Sequence, residues 1–81
     1  MIDVNTISGY KGKVLELLQD IEASIGDIIE IESIERTFEG ALMPRHELAD
    51  PNHIVIKLKN GYNVGIRISK ETQLRKVSEG V

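Results

Sequence analysis

The 81-residue sequence predicts a mainly β chain: five short strands in a small closed or half-closed antiparallel barrel, preceded by one N-terminal α-helix. Three observations predict it. The apolar period changes from helical to alternating at Gly26. The segment HIVIKLKNGYNVGIRI reads as two alternating strands around an Asn60-Gly61 turn. The remaining elements are short, joined by tight turns, and lack the spacing of βαβ units.

Residues 8–25, SGYKGKVLELLQDIEASI, read as the helix. Tyr10, Val14, Leu17, Leu18, Ile21 and Ile25 fall on one apolar stripe, Ser8 is placed to cap the start, and Gly26 suits the position after the end. Gly12 weakens the first turns by about 1 kcal/mol relative to Ala, so the helix is expected to begin nearer Lys13. The stripe admits two uses, packing on its own barrel or docking on a partner. Six large apolar residues are more than an arm left in water should carry, which favours the first.

In DIIEIES, Ile29 and Ile31 share one face and Glu30 and Glu32 the other. Phe38 to Met43 is the second strand, with Gly40 marking a bulge or bend. The short connection around Glu35-Arg36 makes these two a hairpin. For the next hairpin, loop length decides the register. A two-residue Asn60-Gly61 loop places Ile56 opposite Gly65 and sends the apolar sets to opposite faces. A three-residue loop, Lys59-Asn60-Gly61 with Gly61 left-handed, pairs Leu58 with Tyr62, Ile56 with Val64 and Ile54 with Ile66. One buried face requires the second. A last strand is expected near Leu74 to Val77. The division is an arm and helix over 1–25 and a barrel over 26–78, with residues 1–7 and 78–81 frayed.

A chain this short buries only about 60–65% of its unfolded surface. It has no cysteine, which excludes a disulfide or thiolate–zinc staple and fits a reducing compartment. The N-terminal MIDVNTISGYKGK lacks an apolar secretory core, and no run is long enough to span a membrane, so the expectation is a cytoplasmic domain. Net charge is −3 but uneven. Residues 1–40 carry nine acids and three bases; residues 41–81 carry seven bases and four acids. The basic half can face phosphates or pair with the acidic half. Within it, Lys57, Lys59 and Arg67 are candidates for RNA contact, against the plainer reading of a solvated barrel exterior. Three aromatics in the whole chain make a thin base-stacking surface.

The segment MPRHELADPNH, Met43 to His53, is the densest in chemistry-bearing residues. As metal ligands, His46, Glu47, Asp50 and His53 fit no helical spacing, because Pro44 and Pro51 interrupt them. As an acid–base pair, His46 and Asp50 would need a pocket that a small barrel hardly offers. No serine sits in a nucleophile elbow, and the glycines form no phosphate loop. No catalytic residue, cofactor or metal is expected.

Gly26 to Ile68, GDIIEIESIERTFEGALMPRHELADPNHIVIKLKNGYNVGIRI, resembles the N-terminal domain of the D subunit of archaeal glutamyl-tRNA(Gln) amidotransferase. The pieces EGALMPR, HIVIKLKNGYNVGIRI and the joining loop with Asp50 carry the resemblance by their order and spacing. It implies an SH3-like barrel that precedes an asparaginase-like domain. That domain hydrolyses glutamine through a threonine in a Gly-Gly-Thr segment and passes ammonia to the E subunit, which amidates Glu on tRNA(Gln). Thr6, Thr37 and Thr72 do not follow a glycine pair, so no catalytic residue carries over. The implied role is scaffolding, with the asparaginase-like domain and the E subunit as partners and no membrane. Arg45, His46 and Asp50 are the candidate partner contacts. The alternative is a free-standing small barrel that binds RNA or protein.

Overall fold

Gly12–Asp20 forms helix α1 in the computed structural model, which describes residues 9–45 and 52–79. The helix starts one residue before the expected Lys13, behind an extended Lys11 that makes no side-chain capping bond. The predicted Ser8 cap lies outside the described residues. The other end differs from expectation: the helix stops at Asp20, although the apolar stripe runs on to Ile25. Glu22 takes a left-handed conformation (φ 55°). Its N–H donates to Gln19 O and the N–H of Ala23 to Leu18 O, both at 3.0 Å. These are the two bonds of a Schellman ending, and both Ala23 and Leu18 belong to the buried core cluster. Past this turn the helical period has no backbone to express it, and Ile25 is exposed.

The strands follow as β1 (Ile28–Glu32), β2 (Thr37–Leu42), β3 (His53–Lys57), β4 (Asn63–Arg67) and β5 (Gln73–Ser78). They make one antiparallel sheet in the order β4-β3-β2-β1-β5. The fold is mainly β, as predicted, in the half-closed form: β4 and β5 are the sheet's two edges, and strand pairing does not join them. The apolar stripe of α1 packs on the sheet. Tyr10, Val14 and Leu18 join Ile29, Ile31, Leu42, Ile54, Ile56 and Ile66 in one buried cluster. Each such aliphatic side chain contributes about 1.5–3 kcal/mol when withdrawn from water.

The β3–β4 register is the one that a single buried face requires. Ile54 lies opposite Ile66 and Ile56 opposite Val64. Leu58 N–H donates to Tyr62 O at 2.8 Å, and Gly61 sits at φ 90°. The β1–β2 hairpin closes through Ser33 N–H to Arg36 O at 2.9 Å.

Gly40 does not mark a bulge in that hairpin, since it pairs in register with Ile29. A Cβ on Gly40 would lie 2.5 Å from Lys57 O, so its missing side chain serves the close approach of β3 to β2. The register shift falls between β1 and β5: Ile29 faces Lys76 and Ile28 faces Ser78, which leaves Val77 as the extra residue. Ser78, expected to fray, is the last residue of β5; residues 1–7, 80 and 81 lie outside the described residues. Among the described residues, no helix is long and apolar enough to cross a membrane.

The acidic and basic halves of the chain meet. Arg75 pairs with Glu30 at 3.2 Å and Lys76 with Asp27 at 3.4 Å.

Candidate partner-contact site

The β2–β3 ladder runs one rung past the end of β2. After Leu42↔Ile56, Met43 N–H donates to Val55 O at 2.9 Å. In a regular antiparallel pair, the Val55 N–H would return to Met43 O. Here the Tyr10 hydroxyl occupies that rung. It accepts from Val55 N–H at 2.8 Å and donates to Met43 O at 2.8 Å. A side chain from the N-terminal segment thus completes the pairing of two strands far away in sequence.

Arg45 closes the arrangement. It is only 4% exposed, its guanidinium lies 5.3 Å from the centre of the Tyr10 ring, and it donates to Gly9 O. Gly9 in turn sits at φ 80°, where a Cβ would fall 1.5 Å from Arg45 O. Only glycine fits a backbone crossing this close. Gly9–Tyr10 and Met43–Arg45 are therefore interlocked by two side chains and a backbone contact. Burial pushes the Tyr10 hydroxyl pKa above its ordinary 10.0, while the hydrogen bond with Val55 and the nearby Arg45 charge pull the other way.

Of the three candidate partner contacts, Arg45 is placed at the root of the loop with its head turned inward. His46 and Asp50 lie outside the described residues, as does Glu47. His53 begins β3 and is half-buried, and among the described residues no three His, Asp or Glu side chains gather to hold a metal.

The candidate RNA contacts Lys57, Lys59 and Arg67 are all exposed. Lys57 lies opposite Asn63 and Arg67 opposite His53, at the two ends of one outward face of β3–β4. Four residues of strand separate these ends by about 13 Å. Lys57 and Lys59 border the same surface groove of about 390 Å³, and Arg67 does not line it. The arrangement is two lysines together and one arginine apart.

Tyr10 and Gly9 are the residues that sequence reasoning missed. Tyr10 was legible only as the first position of an apolar stripe, and nothing in Ser8-Gly9-Tyr10 announces a partner more than thirty residues away.

The model of the GatD N-terminal domain family matches residues 23–77. The chain belongs to the GatD N-terminal domain family. The family match contains β1 to β4 whole, β5 up to Val77, and both ends of the contact loop, while α1 precedes it. The glutamyl-tRNA(Gln) amidotransferase D subunit of Methanopyrus kandleri is 44% identical over 78 residues, covering 95% of this chain and 17% of that protein. The D subunits of Methanothermobacter thermautotrophicus and Metallosphaera sedula are 40% and 42% identical, over 74% and 79% of this chain and 14% of each relative. This GatD N-terminal domain thus spans less than a fifth of the length of these relatives.

Proposed function

We propose that this GatD N-terminal domain is a non-catalytic scaffolding and assembly element of the D subunit of a cytoplasmic glutamyl-tRNA(Gln) amidotransferase. The parent enzyme converts Glu-tRNA(Gln) to Gln-tRNA(Gln) with ammonia taken from glutamine. The domain packs on the asparaginase-like domain of its own polypeptide and aids assembly with the E subunit. The observation that carries the reading is the locked root of the Met43–His53 loop, where Tyr10, Gly9 and Arg45 fix the point at which the chain leaves β2. Loops held by a rigid scaffold are a usual place for contacts, and a fixed root lowers the ordering cost of binding. In this reading Arg45 holds the loop, and His46 and Asp50 make the contact.

The test titrates the chain into an asparaginase-like domain stripped of its own N-terminal domain. A one-to-one complex is expected, weakened by His46→Ala and Asp50→Ala by about 1 kcal/mol each if they are central to the contact. Absence of any complex would overturn the reading.

A further inference from the structure

We propose that the outer face of the sheet carries a second docking groove, separate from the loop, that takes an extended acidic–apolar segment of a protein partner. The sheet register builds it. Lys57, Ala41, Ile28 and Ser78 stand side by side on β3, β2, β1 and β5. At the usual strand spacing this row spans roughly 14 Å. The extra residue of β5 adds Val77 beside Ile28, and Leu58 continues the apolar lining past β3. Val77 is 40% exposed, which makes it one of the large apolar side chains that the chain leaves in water.

Charge selects the occupant. Arg75 and Lys76 are held by acids of the N-terminal half, but Lys57 and Lys59 have no ion-pair partner among the described residues. Both border this groove. Facing them is one carboxylate, Glu39, which stands opposite Glu30 in the β1–β2 register. An apolar strip with two amines against one carboxylate at one end matches an apolar side chain flanked by carboxylates. Nucleic acid fits less well: no aromatic side chain lines the groove to stack a base, and Glu39 would face the phosphates. The bulge has a physical role in this reading, since it turns an additional side chain onto the docking face.

The test is an amide NMR titration of the full chain with a synthetic peptide of alternating leucine and glutamate, with the lysine counterpart and oligouridylate as comparisons. Shifts are expected at Ile28, Ala41, Lys57, Lys59 and Val77 with the acidic peptide. The double variant Lys57→Glu/Lys59→Glu should weaken binding roughly tenfold or more while the rest of its spectrum stays that of the parent. Three outcomes would overturn the proposal: no shift at millimolar peptide, shifts confined to another surface, or stronger shifts of the same residues by oligouridylate. Because the loop residues play no part in this titration, its result is independent of the complex tested above.

Discussion

Tyr10 does three jobs with one side chain: its ring is core, its face meets Arg45, and its hydroxyl stands in for a rung of the β2–β3 ladder. Tyr10→Phe keeps the first two and leaves Val55 N–H and Met43 O without their bridge. Leaving a buried polar group unpaired costs about 1–3 kcal/mol, and a loss of unfolding free energy of that size is expected in urea. The same hydroxyl predicts a pH effect. A phenol whose folded-state pKa is raised favours folding fully below its unfolded value near 10.0, and this contribution is lost as pH rises through the folded value. Stability should therefore fall above about pH 10, and Tyr10→Phe should remove that part of the fall. In a Tyr62→Phe background, tyrosinate absorbance reports Tyr10 alone, and a midpoint at or below 10.0 would contradict the assignment. Gly9→Ala is harsher, because its Cβ would overlap Arg45 O, and loss of folding is expected. Of this, only the place of the Tyr10 ring on an apolar stripe was legible in the sequence. Arg45 reads there as a polar loop residue, because the tyrosine ring and glycine carbonyl that bury it come from a distant segment.

At the scale of elements, legibility followed the range of the deciding interaction. The β3–β4 register was readable because a local constraint, the loop length at Asn60-Gly61, and a patterning constraint, one apolar face, admit the same pairing. The end of α1 was not. Ile21 and Ile25 keep the helical period, and the left-handed residue that stops the helix is Glu22, a type that seldom takes that conformation. The apparent stop, Gly26, is engaged elsewhere, donating its N–H to Leu42 O at 2.8 Å. Glu22→Gly should relieve the left-handed strain, with a gain of up to about 1 kcal/mol after glycine's greater unfolded entropy is set against it. Thermal unfolding checks this. A loss on substitution would mean that the Glu22 side chain holds the turn by some contact stronger than the strain.

At the scale of the whole molecule, the uneven charge of the sequence is a folding device as well as a surface property. The sequence left open whether the basic half serves phosphates or the acidic half, because pairing across 45 or more residues depends on which strands become neighbours. The sheet order decides it for two residues by setting β5 beside β1. Arg75 and Lys76 then reach acids of the first half, but in unlike settings. Arg75 is 66% exposed and meets Glu30 in water, where salt and solvent screen the pair. Lys76 is 24% exposed and meets Asp27, only 8% exposed, while also donating to Glu22 O at 3.2 Å beside the end of α1. It therefore ties β5 both to the start of β1 and to the turn that stops the helix. Arg75→Met should leave the unfolding midpoint where it is. Lys76→Met should lower stability by about 1–3 kcal/mol, because it removes both the cation beside the largely buried Asp27 and the bond to Glu22 O. The loss should persist at high salt, where an exposed pair would already have been screened. Equal midpoints for the two variants would mean that β5 is held by its ladder and its apolar contacts alone.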